Sequence, residues 1–92
     1  MTSGAGHISL NNAQGNSLLW LGETTENNGD MKLYNSAGKM IGRFSATNVS
    51  DGSFELFNNT GNRMGYIATD VNGNGSFTAF DKSGTRIGRV PQ

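Results

Sequence analysis

The residues best suited to metal chemistry lie between positions 70 and 81. Oxygen-bearing side chains occur there at the spacing of an EF-hand calcium loop, at Asp70, Asn72, Asn74 and Asp81. Gly75 stands at the position of the loop's invariant glycine, but Asp81 replaces its final Glu. An internal repeat already accounts for Gly75 and Asp81, and no helical pattern flanks the segment. We therefore predict no bound metal and no cofactor.

A second set of residues combines positive charge with aromatic rings. It recurs at a fixed interval along the chain as Trp20, Arg43, Tyr66 and Arg89. Interleaved guanidinium groups and rings can bind sugars or polyanions through stacking and charge. The competing interpretation is that these side chains support one another across the solvent side of a sheet. We call this set the ligand stripe and keep both interpretations open.

The sequence offers few of the residues and motifs that an enzyme would need. His7 is the only histidine and there is no cysteine, so the usual zinc sites and thiol nucleophiles cannot be assembled. No Gly-x-Ser-x-Gly motif is present. The carboxylates lie mostly in connections between the expected strands, where solvated charge is the ordinary interpretation. We predict a protein that is not an enzyme.

Charge and hydropathy restrict the partners. Seven basic residues balance seven acidic residues, which removes the electrostatic argument for nucleic acid or an anionic membrane. No apolar run approaches the length of a membrane span. The segment that begins at Met1 lacks the basic and apolar regions of a signal peptide.

An internal repeat positions all of these side chains. It divides a single domain, 1–92, into four copies of equal length, namely 1–23, 24–46, 47–69 and 70–92. Two columns are pure glycine, namely Gly6/Gly29/Gly52/Gly75 and Gly15/Gly38/Gly61/Gly84. A third column reads Leu19/Gly42/Gly65/Gly88. Four columns are apolar in every copy, namely Ile8/Met31/Phe54/Phe77, Leu10/Leu33/Leu56/Ala79, Leu18/Ile41/Met64/Ile87 and Leu21/Phe44/Ile67/Val90.

Each copy is expected to form two strands. "GSFELFN" at 52–58 alternates apolar and polar residues, as a strand does. The Asn-x-x-Gly that follows is typical of a tight hairpin turn with glycine in the left-handed conformation. The second strand needs a bulge to bring its two apolar columns to one face, and a looser connection of roughly eight residues, such as "SATNVSDG", leads to the next copy. We predict an all-β, elongated structure of four hairpin repeats, intertwined or stacked in an oligomer, with a β-solenoid as the alternative.

The apolar columns predict self-association. They are too few to offset the conformational entropy of ordering 92 residues in a single chain. The first strand also carries an aromatic stripe on its opposite face, formed by Tyr34, Phe57 and Phe80. A strand that is apolar on both faces must bury both. We therefore expect a homo-oligomer, a trimer or a filament, with the aromatic stripe at the interface between subunits.

The segments "GHISLNNAQG", "GDMKLYNSAG", "GSFELFNNTG" and "GSFTAFDKSG" resemble the Gly-rich repeats of bacteriophage tail-fibre and tail-spike shafts. This resemblance covers the whole chain and implies a rigid, extracellular or virion-borne homotrimer whose short strands share a core. The pattern is also similar to MORN repeats and to choline-binding repeats. It lacks the Tyr-x-Gly start of the former, and Trp20 is the only tryptophan available for the cation cage of the latter.

The sequence thus favours a non-enzymatic structural module that assembles with copies of itself. The alternative is a glycan-binding repeat module in which the ligand stripe contacts a cell-surface sugar.

Overall fold

The chain forms antiparallel strands joined by tight turns, and a computed structural model describes residues 6–47 and 49–91 of it. The described residues contain no helix and eight strands, which are β1 (Ile8–Asn11), β2 (Ser17–Glu23), β3 (Gly29–Tyr34), β4 (Met40–Ala46), β5 (Gly52–Phe57), β6 (Arg63–Thr69), β7 (Gly75–Phe80) and β8 (Arg86–Val90). Each strand pairs with the next in one open sheet. The prediction of an all-β hairpin structure is confirmed, and the strands do not form the stacked coils of a solenoid.

All seven turns between these strands share one five-residue design. The N–H of the first residue donates to the C=O of the fifth at 2.6–2.9 Å, and the N–H of the fourth donates to the C=O of the first at 2.9–3.0 Å. The fourth residue has a positive φ, which glycine adopts without steric cost. It is Gly15, Asn27, Gly38, Ser50, Gly61, Gly73 or Gly84.

The first residue of each turn supplies a side-chain oxygen to the backbone. In the turn that Asn35 opens, its Oδ1 accepts the N–H groups of Ala37 and Lys39 at 3.0 Å. The first residues of the seven turns are Asn12, Thr24, Asn35, Thr47, Asn58, Asp70 and Asp81. Amide, hydroxyl and carboxylate oxygens can all accept these bonds, which explains why three residue types occupy one structural position.

The connections between copies differ from the prediction. We expected about eight loose residues in "SATNVSDG", but β4 continues to Ala46 and β5 begins at Gly52. The turn that Thr47 opens and Asp51 closes has the same backbone bonds as the turns within copies. The prediction was wrong because Thr47 and Ser50 stand there in place of Asn and Gly. The structural unit is therefore one strand with one turn, and each copy contains two such units.

A bulge in every second strand settles which side chains share a face. The pairing of β3 with β4 shifts between Leu33 and Tyr34, and β5 with β6 shifts in the same way between Leu56 and Phe57. A bulge is thus present in the second strand of each copy, as predicted, but it lies at the residue before the glycine and does not bring the column Leu18/Ile41/Met64/Ile87 to the face of the other three. Beyond it, the register places three of the four apolar columns on one face of the sheet.

That face has a continuous row of eight large apolar side chains, one from each strand. We call this row the apolar ridge, and it consists of Ile8, Leu21, Met31, Phe44, Phe54, Ile67, Phe77 and Val90. The rings of Phe44 and Phe54 meet edge to face at 6.0 Å. We call the side of the sheet that carries the ridge the apolar face and the other side the polar face.

No second layer of described residues covers the apolar face. The structure measures 41 × 30 × 13 Å, and its shortest dimension is the thickness of a single sheet. Phe44 is 52% exposed and Ile67 is 48% exposed, and among the described residues the only buried hydrophobic one is Ala68. The columns that the sequence assigns to a core therefore form a surface in the single chain.

Candidate functional site

The ligand stripe lies in one row on the polar face, as its recurrence in every copy predicts. Its residues come from alternate strands, and Lys32, Glu55 and Thr78 stand between them. The complete row reads Ser9, Trp20, Lys32, Arg43, Glu55, Tyr66, Thr78 and Arg89. Because adjacent strands lie about 4.8 Å apart, neighbouring members of the stripe are roughly 10 Å apart.

Two charged members of this row, Lys32 and Arg43, are held by Asp30, which lies beside the row on the same face. Asp30 is buried, and its carboxylate accepts two bonds from the Arg43 guanidinium, from Nε at 3.1 Å and from Nη2 at 3.2 Å. Lys32 lies 3.8 Å from the same carboxylate. The bonds to Asp30 raise the pKa of Arg43 above its usual value, and partial burial opposes this shift. Arg43 is therefore committed to an intramolecular pair.

The two aromatic members are covered by neighbouring side chains. Lys32 Nζ lies 5.2 Å from the centre of the Trp20 ring, and the His7 ring lies beside it at 6.2 Å. The Arg63 guanidinium lies 4.5 Å from the centre of the Tyr66 ring and bonds Glu55 at 3.1 Å. Rings that stack on the chain's own cations leave less surface for a sugar. The geometry thus agrees with cross-strand support.

Trp20 also packs against the backbone of its own strand. A Cβ added at Gly22 would overlap the indole ring. We expect Gly22→Val to displace the indole and shift its fluorescence emission to longer wavelength. Trp20 is the only tryptophan, so the signal is unambiguous. Gly29→Ala is the control, because a Cβ there meets nothing within 4 Å. Unchanged emission in Gly22→Val would show that the indole does not rest on this strand.

The aromatic stripe lies on the polar face, away from the apolar ridge. Phe57 pairs with Arg63, and Phe80 pairs with Arg86, while Tyr34 pairs with Met40. Arg63 lies 5.0 Å from the centre of the Phe80 ring. All three aromatic residues are half-buried within the single chain. Their part in a subunit interface stays a prediction.

The residues at EF-hand spacing are not brought together. Asp70 and Asp81 open turns at opposite ends of the six-residue strand β7, roughly 20 Å apart at 3.3 Å per residue. Asp70 Oδ1 accepts the N–H groups of Asn72 and Asn74 at 2.9 Å, and Asp81 Oδ1 accepts those of Ser83 and Thr85. Both carboxylates act as turn caps, a role that the repeat predicts for Asp81 and that the sequence analysis missed for Asp70.

The apolar ridge is an extensive feature of the surface, whereas the sequence analysis had assigned its residues to a core. Its signal was present in the apolar columns, but their exposure depends on the absence of a second layer.

In the described ranges no group of three or more His, Asp or Glu residues could hold a metal ion. The same ranges contain no helix long and apolar enough to cross a membrane. Comparison of the sequence with protein-family models and with curated proteins gives no match.

Proposed function

We propose that this chain is a non-enzymatic structural module that works as a homo-oligomer. The observation that carries the proposal is the single-layer sheet, in which Ala68 is the only buried hydrophobic residue among those described. A stable domain ordinarily packs two layers around a core. A sheet with one unpartnered apolar face gains that second layer when another chain supplies it.

The extent of the apolar surface supports assembly over binding of a small ligand. Eight ridge residues run across all eight strands, and the long axis of the structure measures 41 Å. Monomeric proteins rarely expose apolar patches larger than a few hundred Å², and larger ones mark interaction sites. The ridge is a long open band, which suits an extended partner better than a sugar or a metabolite.

The kind of assembly that we propose is a segment of an extracellular fibre, with three subunits, such as a phage tail-fibre shaft. The resemblance of the four glycine-rich segments to such shafts supports it, as do the uniform hairpins and the backbone design that their turns share. The function of such a segment is mechanical. The ladders of backbone hydrogen bonds resist bending, and the shared apolar surface keeps the subunits together.

The molar mass in solution tests this proposal. We expect light scattering on a size-exclusion column to give the mass of three chains, unchanged on dilution into the micromolar range. Very large, polydisperse species would place the same module in a filament. A single folded chain at every concentration would overturn the proposal, because the apolar face would then be stable in water.

A further inference from the structure

Six glycines lie on the apolar face and flank the ridge on both sides. One row, at the strand starts, contains Gly29, Gly52 and Gly75, which pair with Glu23, Ala46 and Thr69. The row on the other side contains Gly42, Gly65 and Gly88, which alternate with Leu33, Leu56 and Ala79. The ridge therefore stands between two rows in which glycines leave gaps, with exposed Leu33 and Leu56 standing between the glycines of the second row. We call both rows the glycine grooves.

The backbone does not require glycine at these six positions. Positive φ values among the described glycines occur only at the turn positions Gly15, Gly38, Gly61, Gly73 and Gly84. The bulge does not require glycine either. The first copy has the same register shift after Leu10, and Leu19 stands there in the column of Gly42. An interior glycine weakens a strand by its entropy and its lack of a side chain.

Packing within the chain does not require glycine in the grooves either. A Cβ added at Gly29, Gly75 or Gly88 would meet nothing within 4 Å. At Gly42 and Gly65 the nearest atoms would lie at 3.8 Å and 3.6 Å, which is ordinary contact. Neither backbone conformation nor packing within the chain explains these glycines. Such a glycine marks a place where another surface approaches closely.

The shape of one groove shows what could enter it. Next to the ridge is an open depression of about 510 Å³, which is lined by Met31 and Phe44 of the ridge, by Gly29 and Gly52, and by polar residues that include Asp51. Such a depression accepts a row of large apolar side chains from another molecule. The chain itself presents such a row, the apolar ridge, at the same strand spacing.

We infer that the apolar face of each copy packs against the apolar faces of other copies of this chain, with the ridge of each copy seated in a glycine groove of the next. This inference rests on the proposed homo-oligomer and assigns its seam. The middle of the face can leave water without burying a charge, because neither the ridge nor the row of Gly42, Gly65 and Gly88 contains a charged residue, and Glu23 lies in the other row. The sheet measures 41 × 30 Å, so one face offers on the order of 1,000 Å², above the roughly 800 Å² per partner of a standard interface.

Filling a groove tests the seam without removing any contact inside the chain. Gly65→Val adds a β-branched residue that the strand favours, yet it places bulk where the partner's ridge must lie. We expect the dissociation constant to rise by roughly tenfold to a hundredfold, the effect of overpacking a close-packed contact, with an unchanged far-ultraviolet circular dichroism spectrum. Ser17→Val is the matched control, since Ser17 is exposed on the polar face.

Single cysteines provide a second readout that does not depend on the glycine variants. The chain has no cysteine, so one can be placed in the ridge (Ile67→Cys), in the aromatic stripe (Phe57→Cys) and in an exposed turn (Ser83→Cys). We expect maleimide to label the ridge cysteine at least roughly tenfold more slowly than the turn cysteine in the assembled protein, because a close-packed interface excludes the reagent.

The outcomes separate this inference from the proposed function. If Gly65→Val keeps the molar mass of the wild-type oligomer, and the cysteine of Ile67→Cys is labelled as fast as the turn cysteine, the seam is wrong and the homo-oligomer stands. Slow labelling at position 57 together with fast labelling at 67 would move the seam to the aromatic stripe. A wild-type protein that is a single chain at all concentrations would overturn both.

Discussion

The substitution Phe54→Asp is expected to dissociate the assembly into single chains. Phe54 lies in the middle of the apolar ridge and contacts Phe44 edge to face. If the ridge is buried between copies, the new carboxylate must leave water without a cationic partner. An unpaired charge in an apolar interface costs several kcal/mol, so we expect association to weaken by roughly a thousandfold or more. Light scattering across a dilution series measures the loss.

The matched control is Phe57→Asp on the same strand. It makes the same chemical change on the polar face, beside Arg63, where a carboxylate can stay hydrated and pair with a guanidinium. We expect this variant to keep the wild-type molar mass. The opposite result, dissociation by Phe57→Asp alone, would show that the subunits join through the aromatic stripe. Circular dichroism of both variants separates dissociation from unfolding.

The strands and the turns within copies could be predicted from sequence because their signals are local. Alternation of apolar and polar residues defines a strand, and an Asn that precedes a glycine by three residues defines the turn. The turns between copies rely on the same two functions, an oxygen acceptor and a residue with positive φ. Thr24 with Asn27 and Thr47 with Ser50 supply those functions with other residue types. An oxygen acceptor and a residue with positive φ therefore recur in every turn, whereas the pair of Asn or Asp with Gly is constant only in the turns within copies.

The buried face could not be predicted in the same way. Both sides of the sheet carry large apolar residues, and the bulge changes which columns share a side. The sequence therefore suggested that the four apolar columns form a core and that the aromatic stripe remains for an interface. The structure reverses this assignment, because the three stripe residues are half-buried within the single chain, with Phe80 beside Arg63, while five of the eight ridge residues are exposed.

The length of the repeat was enough to predict that the ligand stripe lies in one row, but not which residues stand between its members. Trp20 and Arg43 occupy the same position in successive copies, and equal columns in equal copies fall in line. Lys32 and Glu55 enter the row only through the pairing of adjacent strands. They decide the chemistry of the row, because Lys32 covers the Trp20 ring and Glu55 orients Arg63. Such contacts depend on register, which a column pattern does not contain.

The substitution Asn58→Ala is expected to lower the free energy of unfolding by about 1–3 kcal/mol, because it exchanges several side-chain hydrogen bonds of the turn, each with a net contribution of about 0.5–1.5 kcal/mol, for bonds to water. Asn58 Oδ1 accepts the N–H groups of Thr60 and Asn62 at 3.1 Å and 3.0 Å and the Thr60 hydroxyl at 2.7 Å. Its Nδ2 donates to the carbonyl of Lys82 in the next turn at the same end of the sheet, at 3.2 Å. The side chain thus fixes one turn and joins it to another.

Two further variants identify which of these bonds matters. Asn59→Ala changes an exposed neighbour in the same turn, and we expect it to leave stability unchanged. Asn58→Asp keeps the oxygen acceptor, as Asp70 and Asp81 do in their own turns, but loses the donor to Lys82. Its stability should lie between those of the wild type and Asn58→Ala in urea unfolding at fixed protein concentration. If Asn58→Ala leaves stability as unchanged as Asn59→Ala does, the oxygen acceptor of Asn58 contributes nothing and the backbone alone stabilises this turn.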